Sequence, residues 1–212
     1  MGKLEINIIK EVFRMSMEFK NSETCKNLMR AFAGESQARN RYIFAAEQAE
    51  ERGLHVIKLI FAFTASQEEA HAKVFYDHLT EMAGCDIQID GTYPVNISES
   101  LESLLESAAH NEYEEHDNVY QSFANKAMEE GFAVIASTFL KIAGIEKVHG
   151  DRFSRFMNDL KNGKLFVSDV EEEWMCLNCG FVFKGKNAPK SCPACYHEQG
   201  FFIRMTLAPY SE

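Results

Sequence analysis

The sequence predicts a mainly α-helical protein in which a four-helix bundle is followed by a small four-cysteine domain. Three observations carry that prediction. Apolar residues recur at alternating spacings of three and four over four long segments, the mark of helix faces turned to a core. Inside two of those faces sits a Glu-x-x-His pair, Glu68 with His71 and Glu146 with His149, the pairs 78 residues apart at equivalent positions. Near the C-terminus the helical period stops and two Cys-x-x-Cys pairs follow in a short stretch.

At 212 residues, the chain has room for one domain with an appendage or for two small domains. Hydrophobic content of 46% and only four prolines favour long helices around a core. A net charge of −10, with no stripe of Lys and Arg, argues against a nucleic-acid partner. Part of that excess is only apparent if carboxylates hold metal ions. The first twenty residues lack the apolar core and cleavage pattern of a signal peptide, and the longest apolar stretches are too short or interrupted to span a bilayer. The expectation is therefore a reducing cytoplasm and no membrane partner. Cys25 and Cys85 read as isolated buried thiols.

Residues 1–20 read as an amphipathic or irregular lead-in, with Ile6, Ile9 and Phe13 on one side. The first long helix is expected over 22–51, with Leu28, Ala31, Glu35, Ala38, Tyr42, Ala45 and Ala49 facing inward and Gly53 ending it. The second starts at once and reaches Ala83, its stripe being Ile60, Thr64, Glu68, His71, Phe75, His78 and Met82. Residues 85–96 lack helical periodicity, and Asn96 with Glu99 makes a capping box for the third helix. That helix carries Leu101, Leu105, Ala108, Glu112, Glu115 and Val119 inward and ends near Gly131. The fourth follows through Leu160, with Ile135, Phe139, Ile142, Glu146, His149, Phe153 and Phe156 on one stripe.

The chain thus repeats itself. Glu35 precedes Glu68 by 33 residues and Glu112 precedes Glu146 by 34. Tight turns make the first and second helices, and the third and fourth, antiparallel neighbours. The dozen residues between the pairs can extend roughly 40 Å, close to the ~45 Å of a 30-residue helix. The third helix can therefore run parallel to the second, in the up-down-down-up order of a ferritin-like bundle. The expected domains are the bundle with its N-terminal extension (1–163), a linker or single strand (164–173) and a cysteine domain (174–212). So small a domain needs a staple.

The inward acids and imidazoles are Glu35, Glu68, His71, Glu112, Glu115, Glu146 and His149. Burying bare carboxylates together costs more than folding leaves in hand. Divalent ions resolve the cost: five anions and two neutral imidazoles around two such ions leave about one net negative charge. Oxygen-rich ligation with one His per ion suits Fe or Mn, and the paired Glu-x-x-His pattern is that of two-metal carboxylate bundles. Glu115 is a surplus carboxylate that allows an ion to change partners. Tyr42 and Tyr120 are placed to bond a ligating carboxylate or to pack as core aromatics. His55, His78, His110 and His116 are not expected as ligands. Cys176 and Cys179, with Cys192 and Cys195, form two knuckles for one tetrahedral ion, and their spacing does not separate Zn from Fe.

The stretches AFAGESQARNRY (31–42), SQEEAHAK (66–73), AGIEKVHGDRF (143–153), WMCLNCGF and APKSCPAC, together with the Glu112/Glu115 helix, resemble the rubrerythrin family over nearly the whole chain. The resemblance implies a non-haem di-iron site on Glu35, Glu68, Glu112, Glu115, Glu146, His71 and His149, with His71 exchanging with Glu115 as oxidation state changes. It implies a rubredoxin-type iron on Cys176, Cys179, Cys192 and Cys195. It further implies peroxidase activity on hydrogen peroxide, an NAD(P)H-linked external reductase or rubredoxin as electron donor, and a head-to-tail homodimer or larger homo-oligomer. Three iron ions per chain follow, open to substitution by Zn or Mn. One departure stands out. Where the family often reads Ala-Ala-Gly-Glu, this chain reads Ala108-Ala109-His110-Asn111-Glu112, and a π-bulge is expected to absorb the extra residue. The rival functions are a ferroxidase that handles iron, which needs no cysteine domain, and a helical scaffold with a structural zinc ribbon, which needs no iron.

Overall fold

The structure is a computed structural model that describes residues 19–209. The lead-in expected over 1–20 lies almost wholly outside the described residues. Four helical rods follow. The first is α1 (Glu23–Glu51) and the second α2 (His55–Asp77). The third consists of α3 (Leu101–Glu114), a π-helical turn (Glu115–Val119) and α4 (Tyr120–Glu129). The fourth is α5 (Ala133–Lys161). Gly53 and Gly131 take φ of 68° and 87° in the two tight turns, a conformation that side chains with a Cβ resist. No helix among the described residues is long and apolar enough to cross a membrane.

Hydrogen bonds at both ends of α1 set the direction of the third rod. Glu130, just past α4, accepts from the backbone N–H of Glu23 and Thr24 at the start of α1, at 3.1 and 2.8 Å. Arg52, just past α1, donates to the carbonyl of Glu99, just before α3, at 2.5 Å. The third rod is therefore antiparallel to α1 and parallel to α2, the up-down-down-up order. The crossover that permits this runs along α1. Arg30 binds the carbonyl and carboxylate of Asp90 at 3.0 and 2.5 Å, and Arg41 binds Asn96 at 3.1 Å.

Several details differ from the sequence reading, among them Cys85, which is exposed rather than buried. The second α-helix stops at Asp77, and a 3-10 turn (Thr80–Met82) carries the chain on, because Thr80 caps the Asp77 carbonyl and the tighter winding buries Leu79 and Met82. Asn96 does not cap the third rod. It bonds Arg41 and Asn111, and Ser100 takes the N-cap, accepting from the Ser103 amide at 3.2 Å.

Two compact units divide the chain, and each rod contributes to both. The first (to Arg39, 66–95 and 112–148) has a core of Phe19, Leu28, Phe75, Leu79, Tyr120 and Phe139. The second (40–65, 96–111 and from His149) packs Tyr42, Phe61 and Phe153 with ring centroids 5.0–6.0 Å apart. It also holds an antiparallel sheet of order β2-β1-β3, built from β1 (Val167–Cys176), β2 (Val182–Asn187) and β3 (Phe202–Arg204). Of the 164–173 stretch, expected as a linker or single strand, residues from Val167 on are strand. Its acidic residues hide that from a hydrophobicity pattern, whereas pairing of Glu172 with Gly185 and Glu173 with Lys184 supplies the backbone bonds.

The sheet is seated on the α1–α2 turn. A Cβ on Gly200 would lie 1.7 Å from the Gly53 carbonyl oxygen, Phe201 stacks on His55 at 3.8 Å, and Arg204 pairs with Asp159 at 2.8 Å.

Glu130 yields a stability prediction. Burial alone would raise its pKa, but bonds from Thr24 and Glu23 and the nearby Lys126 outweigh burial and hold the carboxyl below its ordinary value. A depressed folded pKa stabilises above the unfolded value and loses that contribution as pH falls through the folded one. Glu130→Gln is expected to cost about 1–2 kcal/mol at neutral pH. Helix melts followed by circular dichroism should show the gap from the parent narrowing below about pH 4.

Candidate metal centres

The inward face of each rod presents its acids at mid-length, where apolar neighbours on the same stripe force them into the core. Glu35, Glu68, Glu112, Glu146 and His149 are at most 1% exposed, and His71 is buried. Two groups form among them. Glu68, His71, Glu146 and His149, the last one turn beyond Glu146 on α5, place ligand atoms within 4.8 Å of one another. Glu35, Glu115 and Glu146 do the same. Glu146 belongs to both. Glu112 is equally buried but stands in neither group, and Glu115 is half-buried.

The electrostatics show what the protein alone must bear. Burial raises the Glu35 pKa well above the usual carboxylate range, and repulsion from Glu146, Glu68 and Glu115 adds to it. Burial opposes charge on His71, yet hydrogen bonds with Glu146 (3.0 Å) and Glu68 (3.2 Å) overcome it and raise its pKa to about 9. One Glu35 oxygen accepts from the Tyr120 hydroxyl, while Oε2 meets no hydrogen-bond donor among the described residues. A buried carboxylate oxygen left so, beside further carboxylates and two imidazoles, fits a pair of divalent cations.

The Tyr120 hydroxyl reaches the carboxylate of Glu35. Burial, then Glu35 and Glu115, keep its phenol neutral by raising its pKa well above the ordinary value. Tyr42 packs its ring against Phe61 and Phe153. Sequence reasoning missed one neighbour of the site, Arg152, and kept another, His116, in view only as a nearby non-ligand. Arg152 donates to Thr64 at 2.8 Å, one turn from His149 and Glu68 respectively, and His116 bonds the Ala143 carbonyl at 2.7 Å. Both act across helices, and spacing along one helix cannot show that.

The second centre lies in the sheet domain. Cys176 ends β1, Cys179 follows in a turn, and Cys192 and Cys195 come from the opposite knuckle. Their four sulfurs lie within 4.8 Å of one another, with Cys176–Cys195 at 3.7 Å and Cys179–Cys192 at 3.6 Å. A tetrahedron with metal–sulfur bonds of about 2.3 Å has edges of roughly 3.8 Å, so the set fits one four-coordinate ion. Backbone amides of Cys179 and Asn178 reach the Cys176 sulfur, and those of Phe181 and His197 reach Cys179 and Cys195. Such amides stabilise thiolate charge. Trp174, fully buried, donates to the Gly185 carbonyl at 2.9 Å behind the site.

The residue after each knuckle takes positive φ, Gly180 at 78° and Tyr196 at 64°. Glycine carries no penalty there, but tyrosine does. Tyr196→Gly is therefore expected to stabilise the sheet domain by about 1 kcal/mol. Trp174 is the single tryptophan, so the fluorescence melt of zinc-loaded protein reports that domain, and an unchanged or lowered midpoint would contradict the expectation.

Fold and sites together define a helical bundle whose buried carboxylates and imidazoles fit two divalent cations, with an appended four-cysteine domain that fits one more. Family comparison carries this further. The rubrerythrin family model matches residues 26–157 and 103–184, and the model of the rubrerythrin rubredoxin-like domain matches 174–203. The chain belongs to the rubrerythrin family. It is 43% identical to rubrerythrin-1 of Clostridium acetobutylicum over 86% of this chain and 94% of the relative. A structure of nigerythrin in its fully reduced, all-ferrous state is 29% identical, with a TM-score of 0.58 over 85% of this chain and 86% of that one. A bacterioferritin of Desulfovibrio desulfuricans, 22% identical, shares the fold with a TM-score of 0.61 over 69% of this chain and 85% of that one.

Proposed function

We propose that this protein is a peroxidase that reduces hydrogen peroxide to two waters, taking up two electrons and two protons. The observation that carries the reading is the presence, in one chain, of a carboxylate–imidazole pair of groups sharing Glu146 and a separate four-thiolate set. We assign Glu35, Glu68, Glu112, Glu115, Glu146, His71 and His149 as ligands of two iron ions, and Cys176, Cys179, Cys192 and Cys195 as ligands of a third. Bound there, iron supplies stored electrons in the bundle and a one-electron relay at the thiolates.

The chain's own residues do the rest. Glu146, common to both groups, would donate to both ions. Glu115, half-buried on a widened turn, is the carboxylate with room to move. Tyr120 donates a hydrogen bond from its hydroxyl to Glu35 and so fixes which carboxylate oxygen faces the site. The apolar stripes around the site exclude bulk water. The proposal includes electron entry from an NAD(P)H-linked reductase or a rubredoxin, a cytoplasmic setting, and a head-to-tail homodimer or larger assembly.

The test is peroxide consumption by iron-loaded protein kept from oxygen, with a rubredoxin-reducing donor. Continuous turnover with about three iron ions per chain is expected. Iron oxidation that stops at one event per load would favour a ferroxidase. Zinc alone at the cysteines, after iron-replete anaerobic expression, would favour a structural ribbon.

A further inference from the structure

The π-helical turn (Glu115–Val119) places two side chains at the site at once. In an unbroken α-helix, residues five apart point in different directions. Here the Tyr120 amide bonds back to the Glu115 carbonyl, and the widened turn brings both Glu115 and Tyr120 toward Glu35. π-turns are rare because their backbone geometry is poor, and they persist where tertiary contacts hold them. One such contact comes from the second residue of the turn. His116 Nδ1 meets the Ala143 carbonyl oxygen at 2.7 Å. The carbonyl only accepts, so Nδ1 carries the proton. Ala143, fully buried, lies one turn before Glu146 on α5. On its other side the imidazole has Asp117 at 3.7 Å, and the ring is 27% exposed.

We infer that His116 is a positioning residue for the bundle site. By tying the π-turn to the α5 backbone one turn from Glu146, it sets the separation between Glu115 and Glu146, which belong to one ligand group with Glu35. Its role lies in the donated N–H and needs no contact with metal or substrate. This inference rests on the ligand assignment proposed above.

The experiment compares His116→Leu, which keeps bulk and loses the donor, with His116→Gln, whose amide can still donate to Ala143. Full-length protein, with its cysteine site filled by zinc, is titrated anaerobically with Fe(II) alone. Loss of a group that orients a ligand typically lowers metal affinity about 10–100-fold. His116→Leu is therefore expected to bind one of its two bundle ions at least about tenfold more weakly, with circular dichroism like the parent's, and His116→Gln to recover to within about threefold. Equal affinity in the parent and His116→Leu would overturn the inference, as would equal loss in both variants. So would failure of His116→Leu to fold, since that would make the ring a packing element. A parent chain that binds two Fe(II) yet consumes no peroxide would sink the peroxidase reading alone, leaving the comparison of affinities to decide His116.

Discussion

Glu146→Ala is expected to empty the bundle of iron while leaving the four-thiolate ion in place. Glu146 is the one residue common to both ligand groups, so its removal deprives both ions of a donor, whereas loss of Glu35 or Glu68 strikes only one group. Bundle iron should fall from about two ions per chain to well under one, and peroxide turnover should be lost with it. The metal-free variant should nevertheless be no less stable than its metal-free parent. Glu146 is fully buried and raises the pKa of Glu35 by its charge, so removing it relieves that repulsion, while His71, which loses its 3.0 Å partner, keeps Glu68 at 3.2 Å. Metal analysis, a peroxide assay and a melt of the chelated protein read the three effects. Full bundle iron together with full activity would show that Glu146 is not a ligand.

Cutting the chain after Gly163 is expected to abolish steady-state turnover and spare a single event. All seven proposed bundle ligands precede the cut, so the truncated protein should bind two Fe(II) and consume about one peroxide per prereduced chain before stalling. The cysteine set, with its sulfurs gathered within 4.8 Å, is the proposed route for further electrons. The cut also removes the seat of Phe201 on His55 and the pair of Arg204 with Asp159, so the melting temperature should drop even though the ligands remain. Mixing the truncated chain with full-length Glu146→Ala asks whether one chain's cysteines serve another's bundle. Recovered turnover in the mixture would show that they do. Turnover by the truncated chain alone at the full-length rate would remove the sheet domain from the electron path.

Much of this was legible in the sequence because helices translate spacing into direction. Glu35, Glu68, Glu146 and His149 recur on apolar stripes, and residues three and four apart on a helix must share a face, so their burial followed from the pattern alone. The four cysteines were legible for a different reason: two short knuckles close locally, whatever the rest of the chain does. The π-bulge expected at the extra residue before Glu112 is not there: Leu101–Glu114 is regular α-helix, and the π-turn falls beyond it at Glu115–Val119.

What only the tertiary structure decided are the relations between rods and across turns. That Tyr120 serves Glu35, 85 residues away, that Glu130 caps α1 and that Asn96 bonds Arg41 rather than capping the third rod depend on which helix ends meet. Between the linker and the strand that the sequence left open over 164–173, the pairing with β2 decides for strand from Val167 on. His116 shows the limit most plainly: beside a ligand in sequence it looked like a spare imidazole, and its partner is a main-chain carbonyl on another helix, a group every residue possesses and no sequence pattern marks.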